Sequence, residues 1–560
     1  MDTSQPITTT APSETICPTY IDISHYTRPG DVDSAPGIRQ AVREAKETGI
    51  TRIHFEAGRY ILKSSIAHAT GGIIHDAGSR DIEQKKDCHI LLDDLPSFTL
   101  HGAVDQTGKP ATTLVGWNDL KNDDFLPAIL WCEHCPELRL QNLAFTREPA
   151  FTSAGLVTQK TNDAIIVEVL PGCPSWDNMG AYCVNRFTDN GAKLTGESIT
   201  YGQGASANWK SAGQDRLKIS DARMHAMVNC GEYLSWHQGA KTDFQIYISQ
   251  CDNLHLQNLR TYNSNGFCML TESCRNITAN AVHFRPDGHR LFTGPRDAWK
   301  IFKCSGRITV DDFQVHGVRM DGQNMHSNWL HFQSHIDANE AIFFCKYTYA
   351  PILPGSVIEF YDQLSQQTRI VKSARLESVV ENETRGHLYR VQFTCPIPEF
   401  VRKDTICSAR GWEADQYTCT NSEFMNIAGA GHLSRYDNLT ILNNRYQNIM
   451  NPGVLLGAEM PTHSEGGHAT NIHIAQCEFD NCGFFPRYGT AGCIGVHSFG
   501  FDLPLNHDIE ITENHFRNST IGIQLMTARD VRIWNNQYEN IDERVRIDKD
   551  TTRSIHIDET

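Results

Sequence analysis

The chain has no apolar run approaching the ~18–20 residues that a membrane-spanning helix requires, so no membrane span is expected. It also has no basic excess. Its formal net charge is −16, whereas nucleic-acid binders carry basic patches, so no nucleic-acid partner is expected. Among its 18 cysteines no CxxC pair is followed by a second at zinc spacing. The nearest local cluster, Trp131-Cys132-Glu133-His134-Cys135, is a weak metal signal on its own, and neither metal nor cofactor is expected. Residues 1–13 lack a basic n-region followed by an apolar h-region. A secreted or periplasmic location with the signal removed is favoured, and a cytoplasmic one stays open. An acidic balance does not oppose a neutral sugar, which is held by hydrogen bonds and stacking.

What the chain has in quantity is self-similarity. A polar turn, alternating apolar residues, then Asn or Asp and an aromatic recur at 135–145 (CPELRLQNLAF), 251–262 (CDNLHLQNLRTY) and 274–284 (CRNITANAVHF). Later copies are 436–448 (YDNLTILNNRYQN), 469–481 (ATNIHIAQCEFDN), 506–518 (NHDIEITENHFRN) and 528–540 (ARDVRIWNNQYEN). Alternation puts Leu, Ile and Val on one face of a short strand. Asn and Gly tolerate the left-handed backbone of a sharp corner. One such coil cannot bury its apolar face, but stacked coils share a core. The pattern predicts an all-β right-handed parallel β-helix. Asn444, Asn481 and Asn514 are expected to form corner ladders, and many cysteines to fill inward positions as small apolar residues.

The chain divides into an N-terminal tail (1–20), a cap with the first coils (21–154), a β insertion (155–235), central coils with the candidate site (236–329), a second insertion (330–410) and C-terminal coils (411–560). In the cap, residues 38–45 read as a short amphipathic helix with Pro36 near its start. A strand at 53–55 and a turn at Gly58-Arg59-Tyr60 follow. The two insertions lose the corner Asn and read as longer antiparallel strands, as small barrels. Insertions into a solenoid often wall a binding groove.

The region 265–330 is richest in chemistry. Asp297 and Asp321 lie one repeat apart, so their backbones would fall within roughly 5 Å on adjacent rungs. Two neighbouring carboxylates are what glycoside hydrolysis uses, one donating a proton and one activating water. Two Asp residues one coil apart are also a common structural ladder, so spacing alone does not decide. Trp299 offers a ring to stack on a sugar. Lys300, Asn324 and His326 offer hydrogen bonds. Glu272, Trp236 and His237 are further candidates for substrate contact.

This region also resembles glycoside hydrolase family 110, the inverting α-1,3-galactosidases. The matching fragments share their order from about residue 20 to about 545. They include His54-Phe55-Glu-Ala-Gly58-Arg59-Tyr60, Phe145-Thr-Arg-Glu-Pro149-Ala-Phe151 and Ser235-Trp236-His237. Further matches are Asp297-Ala298 to Cys304-Ser-Gly306, Met320-Asp321-Gly-Gln-Asn324-Met-His326, and Gly457-Ala-Glu459 to Ser464-Glu465-Gly-Gly467. The resemblance implies a β-helix with added β-barrel insertions that removes terminal α-linked galactose without a metal. It implies a catalytic Asp at Asp297 and an Asp-Asp pair at Met320 and Asp321. The first of that pair is replaced by methionine here, and the family's His at position 300 by Lys300. A proton donor would then come from elsewhere, with Glu465 the first candidate and Glu272 and Glu459 behind it. Lys300 would favour an anionic substrate group or lower the pKa of Asp297.

The leading expectation is an exo-acting, inverting glycoside hydrolase. Asp297 and Asp321 would position and deprotonate water, with Glu465 as acid. Two alternatives are a carbohydrate-binding β-helix without turnover and a polysaccharide lyase. Assembly into a homo-oligomer is left open.

Overall fold

The repeats fold as successive rungs of one helix-like coil. The structure, a computed structural model, describes residues 19–68, 86–117, 126–201, 209–237, 244–346, 350–362, 366–380 and 386–558. Leu138, Leu254, Ile277, Ile308, Tyr417, Leu439, Ile472, Ile509 and Val531 occupy one register position on consecutive parallel strands. All are buried in one continuous core. The architecture is a right-handed parallel β-helix. The helix Ala35–Thr48 starts with Pro in its first turn and buries Ile38, Ala41, Val42 and Ala45 on the first rungs.

Corners are held by side-chain ladders. Asn448 donates to Asn426 at 3.1 Å and Asn481 to Asn448 at 3.0 Å. All three have φ between 54° and 55°, the left-handed region that asparagine tolerates. Asn444 bonds backbone groups across rungs instead, while Asn514 donates both to the Ile474 carbonyl and to Asn536 at 3.1 Å. Inside, Phe424, Tyr446, Phe479, Phe516 and Tyr538 stack face to face along the coil axis. At another corner Cys135, Cys251, Cys274 and Cys304 are buried thiols that each donate to a carbonyl two residues back.

The chain leaves the coil twice and returns to the next rung in register, between Leu138 and Leu254 and between Ile308 and Tyr417. The first excursion carries a seven-stranded antiparallel sheet from Thr152–Lys160 to Tyr233–His237. The second is a closed six-stranded barrel from Leu330–His335 to Ile406–Ala409. So the expectation of barrels is corrected for the first insertion, an open sheet with its own core around Trp209 and Trp236. The expected turn at Gly58-Arg59-Tyr60 is also corrected. It opens the strand Gly58–Leu62, because Tyr60 and Leu62 both point into the core.

Candidate active site

Three consecutive rungs, Phe267–Glu272, Trp299–Phe302 and Gln323–Asn328, build the site. Their register stacks Leu270, Lys300 and Asn324 in one column and Glu272, Phe302 and His326 in another. Ile301 and Met325 enter the core, so period-2 alternation turns Lys300, Phe302, Asn324 and His326 outward.

Asp297 and Asp321 precede two of these strands at equivalent positions, since Ala298 N–H donates to the Asp321 carbonyl at 3.0 Å. Their carboxyl groups converge. Asn324 Nδ2 lies 3.4 Å from Asp297 Oδ2 and 3.4 Å from Asp321 Oδ2. Asp321 N–H donates to Asp297 Oδ1 at 3.1 Å. The acidic column ends at the next rung, where Ala430 N–H donates to Asp321 Oδ1 at 2.8 Å. A methyl group on Gly429 would stand 2.5 Å from that oxygen, so glycine is required there.

The two carboxyl groups differ in their surroundings. Asp321 Oδ1 accepts from Arg487 Nη1 at 2.6 Å. Burial works against the Arg487 charge, but Asp321 holds it. Asp297 has no such cation in contact. Burial and then the neighbouring Asp321 push its pKa up to about 6, against the opposing pull of Lys300 and Arg296. One carboxyl group of the pair thus sits against a cation and the other does not.

Glu465 is paired with an arginine. Its Oε2 accepts from Arg435 Nε at 3.2 Å and Nη2 at 2.9 Å. Burial would raise its pKa, but His326, Arg435, His463 and Lys300 together hold it well below the usual carboxylate range. His326 itself is pushed down to about 3 by burial, so Arg435 is the charge that counts. Its Nδ1–H donates to the Ser327 carbonyl at 2.8 Å, and Nε2 faces Glu465 at 3.8 Å. Glu459 accepts from the backbone of Thr462 and His463 and braces their loop.

Four proposed substrate contacts are corrected. Trp299 is fully buried in the coil core, with Nε1 donating to Thr271 at 3.1 Å. Its alternation with Ile301 turns it inward. Trp236 lies in the first insertion's core against Trp209. Glu272 is buried and accepts a hydrogen bond from the Tyr247 hydroxyl, with Phe302 between it and His326. His237 is fully buried between Thr152 and Phe292, and burial followed by Arg319 lowers its pKa to about 3. Lys300 and Asn324 remain beside the pair.

Sequence reasoning missed Arg487, Arg435 and Arg319. Each comes from a different element and gains meaning only from its partner in space. Met320 is partly exposed, with Arg319 Nη1 3.2 Å from its sulfur. Among the described residues, Asp93, Asp94 and His134 form the one group with metal-binding spacing. It sits on earlier rungs, at a corner apart from the Asp pair.

No family model matches the chain. It is 19% identical over 485 residues to α-1,3-galactosidase B of Bacteroides thetaiotaomicron, covering 80% of this chain and 73% of that one. It is 23% identical over 251 residues to α-1,3-galactosidase B of Phocaeicola vulgatus, covering 42% and 41%. Among solved structures, the A-module of mannuronan C-5 epimerase AlgE6 from Azotobacter vinelandii aligns with a TM-score of 0.41 and 9% identity, covering 96% of this chain and 100% of that one. The order of motifs along the coils and the similarity to one curated protein over most of the length agree: this parallel β-helix chain is similar, at low identity, to α-1,3-galactosidases and resembles glycoside hydrolase family 110.

Proposed function

We propose that the protein is a glycoside hydrolase that removes a terminal α-linked galactose or a related sugar from an oligosaccharide or polysaccharide. The observation that carries this is the paired Asp297 and Asp321 under one Asn324 amide, with Arg487 on Asp321 alone. Asp297, holding its proton to about pH 6, donates to the leaving oxygen. Asp321 takes a proton from the attacking water, and Arg487 and the Ala430 N–H fix its carboxylate. Asn324 Oδ1, buried with no partner among the described residues, is placed to accept from a sugar hydroxyl. The exo-acting, inverting course rests on the family resemblance. An inverting pair is usually about 6.5–9.5 Å apart, whereas these two carboxyl groups share one amide nitrogen at 3.4 Å each.

A second reading, sugar binding without turnover, is favoured by one observation. The Asp321 side chain has 0% exposure beneath Arg487, and Met320 replaces a carboxylate at its edge. A screen of 4-nitrophenyl α- and β-glycosides and α-1,3-galactosyl oligosaccharides separates the two. Release of sugar by the wild type, lost in Asp321→Asn, supports hydrolysis. Saturable binding with no product supports the second reading. A product absorbing in the ultraviolet would point to a lyase instead.

A further inference from the structure

Two cations flank the carboxylate pair without a carboxylate of their own among the described residues. Arg487 is matched by Asp321 and Arg435 by Glu465. Arg319 forms no ion pair among the described residues, and the nearby Arg487 charge opposes its own. Its guanidinium lies 4.9 Å over the Tyr182 ring, Nη2 donates to the Thr200 hydroxyl at 3.1 Å, and Nη1 faces the Met320 sulfur at 3.2 Å. Its Nε is buried with no hydrogen-bond partner. Lys300 Nζ rests over Phe267 and Phe302 at 5.7 and 5.4 Å.

Withdrawing a guanidinium from water without a counter-charge is costly. A chain with a net charge of −16 has acids to spare, yet none is placed here. Met320 is the position from which an acidic side chain would pair with Arg319, and its thioether leaves that guanidinium uncompensated. Asp297 and Glu465 both feel the Lys300 charge, but neither forms an ion pair with it.

We infer that the sugar taken by this site carries an anionic substituent, a carboxylate or a sulfate ester, held by Arg319 and Lys300. This rests on the glycoside hydrolase reading above and narrows its substrate class. A guanidinium presents paired donors that match both groups. The long-range field of an acidic protein repels such a substrate, so recognition falls to these two contacts.

The test compares kcat/KM for 4-nitrophenyl α-galactoside, α-galacturonide and α-galactoside 6-sulfate. One anionic substrate should exceed the neutral one by roughly tenfold or more. Which one leads tells carboxylate from sulfate. Arg319→Met and Met320→Asp should each bring the ratio toward one, and Arg319→Lys should keep part of it. Should a variant fail to fold, the wild type is titrated by calorimetry with galactose, galacturonate and galactose 6-sulfate. Tighter binding of an anionic sugar, weakened by added salt, supports the inference. Equal or weaker binding of both anionic sugars, or equal turnover of the neutral substrate, overturns it. Turnover of neutral galactosides alone would leave the hydrolase reading standing, whereas anion-selective binding with no turnover would do the reverse.

Discussion

Arg487 reaches across 166 positions of sequence to place Nη1 2.6 Å from Asp321 Oδ1. This contact joins a loop of the later coils to the central rungs and fixes one oxygen of the base. Removing it leaves Asp321 buried and unpaired, which costs about 3–5 kcal/mol for an ion pair of this kind. Arg487→Met should therefore lower the melting temperature and reduce kcat/KM by roughly 100-fold or more. Arg487→Lys should restore part of both, because a lysine keeps the charge and loses the fork. Thermal melts and initial rates on the same preparations check this.

The raised pKa of Asp297 sets a pH dependence with a definite sign. Its folded value of about 6 exceeds the ordinary 3.8. The folded state thus binds the proton more tightly, and stability falls as pH rises from about 4 to about 6, by roughly 3 kcal/mol in total. Burial also pushes Glu413 up to about 7, adding a later loss over a higher range. The difference between wild-type and Asp297→Asn stability curves isolates the Asp297 contribution. That difference should change between pH 4 and 6 and be flat above. As proton donor, Asp297 also predicts an alkaline limb of kcat/KM that falls above about pH 6.

Glu465→Gln separates a structural acid from a catalytic one. Arg435 is 2% exposed and would be left without its carboxylate. The variant should melt several degrees lower, with a loss on the order of 3 kcal/mol. The alkaline limb of its pH profile should stay where the wild type has it. A shifted or missing limb would return the proton-donor role to Glu465.

Trp299→Phe should leave sugar affinity unchanged, because the ring lies wholly in the coil core. Trp299→Ala should cost about 3–5 kcal/mol through the cavity it opens. Binding titrations of the Phe variant, with a chemical melt of the Ala variant, check this.

Gly429→Ala places a methyl group 2.5 Å from Asp321 Oδ1 and from the Met320 carbonyl carbon. It should shift the Asp321 rung and reduce turnover strongly while the rest of the coil stays folded. Unchanged rates with an unchanged melt would contradict the placement of Asp321.

The coil was legible because its period is written into the residues. The 24-residue step from Asp297 to Asp321 is the same step that registers Trp299 on Gln323. Corner asparagines announced themselves by type, and the left-handed φ of Asn448 and Asn481 shows why. The failures have a common cause. Trp299 was read as a sugar platform from its residue type, although its alternation with the inward Ile301 already turned it to the core. The pairing of Glu465 with Arg435 is hidden in the sequence, because the two are 30 residues apart on different elements. Arg487 and Arg319 carry no local signal, since a lone arginine in a turn looks like any solvated one. Their roles come from tertiary pairing that no period encodes.

The most direct test of the Asp297–Asp321 account is sugar release from α-1,3-linked galactosyl oligosaccharides and their anionic counterparts, followed by proton NMR for wild type, Asp297→Asn and Asp321→Asn. The account predicts release by the wild type, with the first-formed anomer inverted, and a loss of roughly 1,000-fold or more in each variant. Release that persists in either variant, or a wild type that binds these sugars and never cleaves them, would contradict it.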